Sequence, residues 1–234
     1  ESSGIVYAVG KDVQKYRVGD AICVGGLKYD AKDKAILAGM DPCFSASYHI
    51  WGYEGNYGAF AQFSRVKECQ CVRIAKNLTF EEAAAAYATG VTAYRMLSRW
   101  EGNTLQQGDV VLVWGGAGGL GLSAIQTVVA MGGIPVAVVS SDEKGELCKK
   151  MGAAGYINRK KFHHWGNVNQ LSEREYRNWI AQATKFKRMI WKIVGEKKIT
   201  CNCAGTPRKR YTSHVFICVW KRRYGGALRS NFVL

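Results

Sequence analysis

Between residues 110 and 141 the chain runs for 32 positions without a charged side chain, broken by the loop Gly115-Gly116-Ala117-Gly118-Gly119-Leu120-Gly121. By length alone such a run could span a membrane. Its seven glycines and Pro135 argue against that reading. The run divides instead into a β-rich segment (110–114), the glycine loop, a helix (122–131) and a second β-rich segment (134–139). Strands that are apolar at every position, rather than at alternate ones, are buried on both faces, which is the pattern of a parallel sheet covered by helices. Residues 144–151 read as the next helix, ended by Gly152, and 156–158 as a third short strand. The composition, 47% hydrophobic and 22% charged, is globular and excludes collagen-like, coiled-coil and wholly disordered chains.

Gly116, Gly118 and Gly121 stand in G-x-G-x-x-G register, directly after a strand and directly before a helix. Glycines there permit a tight turn, close approach of a pyrophosphate and close helix–strand packing, while the helix N-terminus offers unpaired N–H groups to an anion. A dinucleotide site at Gly116, Ala117, Gly118, Gly119, Leu120 and Gly121 is the favoured reading, and a glycine-rich packing turn is the alternative. A carboxylate at the end of the second strand would select NAD by binding the ribose hydroxyls. Ser140 and Ser141 occupy that point, with Lys144 close behind. Hydroxyls and a cation suit a 2′-phosphate, so NADPH is expected. Asp142 lies one position beyond and is expected to cap the following helix.

Ahead of this unit, residues 4–26 read as two strands joined by a polar turn, and 27–58 as a long functional loop rich in aromatic residues. Alternation returns over 59–74. Thr79, followed by Glu81 and Glu82, opens a helix to about residue 88, and 92–100 makes a second. The eight cysteines are scattered and no signal peptide precedes them, so reduced thiols in a cytoplasmic protein are expected. Cys69-x-Cys71 and Cys201-x-Cys203 are too closely spaced for the usual zinc pairs, so no metal is expected. Cys148 reads as a buried small hydrophobe. A first residue of Glu1 suggests a piece of something longer.

Several strings together resemble one family: Asp41-Pro42, the stretch from Ile50 to Gly58 (Ile-Trp-Gly-Tyr-Glu-Gly-Asn-Tyr-Gly), the G-x-x-A-Y helix at Gly90 to Tyr94, the glycine loop, Val138 to Gly145, and Ile157 to Lys160. They are similar to the crotonyl-CoA carboxylase/reductases of the medium-chain dehydrogenase/reductase superfamily, from about residue 1 to 195. The resemblance implies an α/β architecture: a partial GroES-like, β-rich catalytic domain (1–90) followed by an incomplete Rossmann domain with a doubly wound parallel sheet (91–196). It implies NADPH-dependent hydride transfer to an enoyl-CoA and capture of CO2 by the resulting enolate, in a zinc-independent enzyme that is a homo-oligomer when full length. It places part of the CO2 pocket on Tyr53 and Glu54, where the bland reading of Glu54 is a solvated loop acid. His163, His164 and Trp165 resemble a segment near the family's subunit contact, and packing is expected of them. A stretch lacking both ends of a two-domain enzyme is expected to be inactive alone.

Charge divides the chain unevenly. Up to residue 170 there are 18 Lys or Arg against 15 acids, and after it 15 against 3, with nine cations and no acid over 197–234. A basic arm for nucleic acid, simple divergence and a frame-shifted reading all remain open for that tail. With suitable codons, Arg222 to Phe232 read one nucleotide later becomes Gly-Gly-Met-Val-Val-Leu-Cys-Ala-Ala-Thr, a strand-like string, which favours the shifted frame. Two other functions stay in view: a non-carboxylating enoyl-CoA or quinone reductase, and a non-catalytic basic module that binds NADPH or nucleic acid. Nucleic-acid and membrane partners are not expected.

Overall fold

A computed structural model describes residues 1–99, 104–165 and 171–195, together with the backbone of 217–220 and 231–233. The remainder of the basic tail, with its Arg and Lys triplets, and Trp100 lie outside the described residues. The chain separates into two compact units, Glu1–Ala88 and Thr89–Leu234.

In the first unit, β1 (Ser2–Ile5), β2 (Ala21–Val24) and β5 (Cys71–Arg73) form an antiparallel sheet with β2 in the centre. A two-stranded ribbon pairs β3 (Leu27–Lys28) with β4 (His49–Ile50), and a single turn of helix, α1 (Lys34–Leu37), lies between them. Ile22, Val24 and Trp51 are the buried centre, flanked by Val6, Tyr16, Val66 and Cys71. Glu68 Oε1 accepts from the Gln14 and Lys15 amides at 2.9 and 2.6 Å, which pins the β1–β2 turn to the approach to β5. The alternation over 59–74 yields a strand only at Cys71–Arg73. The rest is irregular because Ser64 turns back onto the Tyr57 and Gly58 carbonyls and a 3-10 turn takes Glu68–Gln70.

The two helices expected after Thr79 are one, α2 (Phe80–Ser98). Thr79 and Glu82 close its first turn reciprocally, Glu82 N–H to Thr79 Oγ1 at 3.2 Å and Thr79 N–H to Glu82 Oε2 at 2.9 Å. Gly90 does not break it, since a glycine inside a helix costs only about 1 kcal/mol.

The second unit holds a parallel sheet of β6 (Val110–Trp114), β7 (Ile134–Val139) and β8 (Gly155–Asn158), in that order. α3 (Gly119–Ala130) connects β6 to β7, and α4 (Asp142–Lys150) connects β7 to β8. Strand alternation divides the core. Val111, Val113, Ala137 and Val139 face α3 and Cys148, while Val110, Leu112, Val136 and Val138 face α5 (Glu173–Val194) through Phe186 and Ile190. Both faces of β6 and β7 are therefore covered, which is why those two strands carry no polar residue. α5 starts in a Ser172–Glu175 capping box and ends at Gly195 with φ +73°. The far edge of β6 pairs antiparallel with β9 (Ile217–Trp220), and β9 with β10 (Asn231–Val233), so the parallel half-sheet is extended into a mixed one. Among the described residues no helix is long and apolar enough to cross a membrane.

Candidate functional site

At the end of β6 the chain turns through Gly115, at φ +65°, into the loop. The Gly116 amide is bonded to Val138 O across to β7 (3.2 Å), and the Gly118 amide to Gly115 O (2.9 Å). The first intrahelical bond of α3 runs from Leu122 N–H to Gly118 O at 2.8 Å. The amides of Gly119, Leu120 and Gly121 precede it, and the N-cap Gly118 has no side chain to accept from them. The loop therefore presents a row of unpaired donors at the positive end of a 12-residue helix, with Gly118 and Gly119 exposed. Ala117 and Leu120 pack down against the core.

Gly116 and Gly121 are sterically required. A Cβ on Gly121 would lie 2.7 Å from Gly116 Cα and still closer to Gly115 O; one on Gly116 would lie 2.9 Å from Ala137 Cβ and 3.3 Å from Cys148 Sγ. Cys148 is fully buried, and burial pushes its thiol pKa up, so it packs as a hydrophobe.

Ser140 and Ser141 follow β7, half-buried, and Lys144 is exposed on the first turn of α4. The cap of α4 is Ser141, whose Oγ accepts from Lys144 N–H at 3.4 Å. This corrects the expectation for Asp142, which stands inside the helix because the serine hydroxyl one position earlier already serves the orphan amide. Asp142 turns instead toward β8. Its carboxylate receives Lys161 Nζ at 3.1 and 3.0 Å and Asn158 Nδ2 at 3.3 Å, and these partners hold its pKa below the usual carboxylate value. Lys161 carries no expectation from the sequence, because a cation 19 residues downstream of its acid has no local signature.

In the first unit, Tyr53 and Glu54 sit on a closed loop. Trp51, 6% exposed, anchors it through Trp51 N–H to Gly26 O at 2.8 Å. Glu54 N–H donates to Ile50 O (3.0 Å) while Ile50 N–H donates to Glu54 Oε2 (2.7 Å), so the carboxylate is tied to its own turn. Gly52, at φ +76°, packs against Gly58: a Cβ on it would lie 2.8 Å from Gly58 Cα. The Tyr53 ring is 83% exposed. An open depression of about 980 Å³ adjoins the loop, lined by Ser2, Trp51, Asn56, Tyr57, Phe60 and Glu81, but by neither Tyr53 nor Glu54. His164 is buried among Phe162, Trp165, Trp179 and Phe186, where it packs. Among the described residues no group of three or more His, Cys, Asp or Glu could hold a metal ion.

Residues 1–76 match the alcohol dehydrogenase GroES-like domain. A crotonyl-CoA carboxylase/reductase of Cereibacter sphaeroides is 42% identical over 196 residues, covering 84% of this chain and 45% of that protein. A crotonyl-CoA reductase of Streptomyces collinus is 32% identical over 233 residues, 97% of this chain and 48% of that protein, so its alignment runs on through the basic tail. The solved crotonyl-CoA carboxylase/reductase AntE in complex with NADP superposes with a TM-score of 0.76 at 45% identity, covering 84% of this chain and 48% of that one. The chain thus spans about half the length of the curated relatives it matches.

Proposed function

The chain belongs, over its matched residues, to the crotonyl-CoA carboxylase/reductases of the medium-chain dehydrogenase/reductase superfamily, and from that premise we propose that it forms the cofactor-binding centre and one wall of the substrate site of an NADPH-dependent enoyl-CoA carboxylase/reductase. The observation that carries this reading is the glycine cradle between β6 and α3, with three unpaired amides at a helix N-terminus and no room for a Cβ on Gly116 or Gly121. Those features suit the pyrophosphate of a dinucleotide.

NADPH, when bound, supplies the hydride that adds to the β-carbon of an α,β-unsaturated acyl-CoA. The π electrons move to the α-carbon and thioester, and the enolate so formed closes a carbon–carbon bond to CO2, giving an alkylmalonyl-CoA. Gly116, Ala117, Gly118, Gly119, Leu120 and Gly121 hold the pyrophosphate by backbone contact; Ser140, Ser141 and Lys144 take the 2′-phosphate. Tyr53 and Glu54 stand on the CO2 side. A carboxylate tied to its own turn, as Glu54 is to Ile50, is held in orientation, and such a group can align a donor toward a ligand with no charge of its own.

The test is product analysis on a full-length enzyme carrying this stretch, with crotonyl-CoA, NADPH and isotopically labelled bicarbonate. Labelled ethylmalonyl-CoA is expected. Butyryl-CoA alone would favour the second reading, a non-carboxylating reductase, for which the exposed Tyr53 hydroxyl speaks. Cofactor binding without product would favour a non-catalytic module.

A further inference from the structure

We propose that Lys161 is a specificity residue for the phosphorylated dinucleotide, acting by cancelling the charge of Asp142 beside the 2′-phosphate subsite; the inference rests on the NADPH reading above. Asp142 directly follows Ser141 and opens α4, one position beyond the point where a carboxylate accepts from ribose hydroxyls and repels a phosphate. By charge alone it opposes the cofactor that Ser140, Ser141 and Lys144 suit.

The structure removes that opposition from β8. Lys161 Nζ lies 3.1 and 3.0 Å from the two carboxylate oxygens, and Asn158 Nδ2 donates to one of them at 3.3 Å. Both oxygens are thereby engaged by partners on β8 and the turn that follows it. The arrangement is also built in place. Asn158 uses its other amide atom, Oδ1, to accept from Lys160 N–H at 3.1 Å, capping the 3-10 turn Arg159–Lys161. Phe162, 4% exposed and packed edge-on against Phe186, fixes the end of that turn. Lys161 thus leaves a short, anchored turn rather than a loose loop.

Relative exposures of 64% and 52% place the Lys161–Asp142 pair in solvent, where an ion pair adds little to folding stability. Its effect falls on the local field. An unpaired carboxylate adjoining Ser141 repels an anion held there over the roughly 8 Å screening length of physiological salt, whereas a paired one does not. The same carboxylate, once released, is also free to accept from an unphosphorylated ribose.

The experiment is titration of a full-length enzyme carrying this stretch with NADP⁺ and, separately, NAD⁺, followed by tryptophan fluorescence. Lys161→Met is expected to weaken NADP⁺ roughly tenfold and to leave NAD⁺ within about twofold, the size of one uncancelled charge at partly solvated range. Adding Asp142→Asn to Lys161→Met should return NADP⁺ affinity to within about threefold of the parent, and Lys161→Arg should retain it. An unchanged NADP⁺/NAD⁺ ratio in Lys161→Met, or equal weakening of both cofactors, overturns the proposal while leaving the NADPH reading intact. A parent chain that binds neither dinucleotide overturns both. Thermal midpoints of the variants, expected to match the parent, separate a charge effect from loss of fold.

Discussion

The glycines of the cradle are not equivalent, and their differences can be measured. Gly121 and Gly116 are each other's obstacle: a methyl on Gly121 would meet Gly116 Cα at 2.7 Å, and the neighbour is backbone that cannot swing aside. Gly121→Ala should therefore lower stability by about 1–3 kcal/mol, the range for overpacking a well-filled site, and abolish NADP⁺ binding by separating α3 from β6. Gly118 has an ordinary φ of −81°, and its Cβ would come only to 3.4 Å of Gly115 O. Gly118→Ala should keep the parent's melting midpoint, any loss being confined to the anion. Thermal melts with and without NADP⁺ check both. These roles were legible in the sequence because the motif's spacing between a strand and a helix fixes which glycine faces what. The cap of α4 was not, since Ser141 and Asp142 are both good capping residues one position apart and only geometry chooses between them. Lys161 was illegible for another reason: its partner lies on a different element, and periodicity carries no signal across strands.

Apolar runs announced β6 and β7 because both faces of each are covered, but the same logic fails where exposure varies along an element. The alternation of 59–74 pairs as a strand only at Cys71–Arg73, and the two helices expected up to about residue 88 and over 92–100 are one, since α2 passes through Gly90. Nothing lies within 4 Å of a Cβ built on Gly90. Gly90→Ala should raise stability by about 0.5–1 kcal/mol, seen as a higher urea midpoint at unchanged slope; destabilisation would show that α2 is not continuous there. α5 escaped sequence reading although Ser172 and Glu175 form a capping box. It closes the aromatic cluster in which His164 is 8% exposed with Nδ1 unpartnered. Burial lowers the His164 pKa from its ordinary 6.5. The unfolded chain thus binds a proton more readily than the folded one, so the neutral ring's contribution is fully present above about pH 6.5 and is lost as the pH falls below it. The melting midpoint should drop on acidification from pH 7.5 to 5, and His164→Phe should flatten that part of the profile.

At the scale of the whole chain the dominant physical fact is a formal charge of +15, with 15 Lys or Arg against 3 acids after residue 170. That distribution is fully legible in sequence, whereas the antiparallel pairing of β9 with β6 is not, because an edge strand accepts a partner of either direction through the same backbone groups. The charge has two consequences of opposite sign. Self-repulsion destabilises the compact state, so shortening the screening length from roughly 30 Å at 0.01 M salt to roughly 8 Å at 0.15 M should raise the melting midpoint. The same field draws in an anionic dinucleotide, so NADP⁺ affinity should fall over that range while stability rises. A nucleic-acid arm would add a steeper signature, log affinity for duplex DNA falling with log salt by about 0.9 for each phosphate neutralised. Melts, NADP⁺ titrations and filter binding across one salt series distinguish these effects. Rising midpoints, weakening NADP⁺ and no duplex binding even at the lowest salt are the expected set. Duplex binding with a slope of several units would instead assign the cations of 197–234 to nucleic acid, and an NADP⁺ affinity indifferent to salt would remove the electrostatic account of the cofactor site.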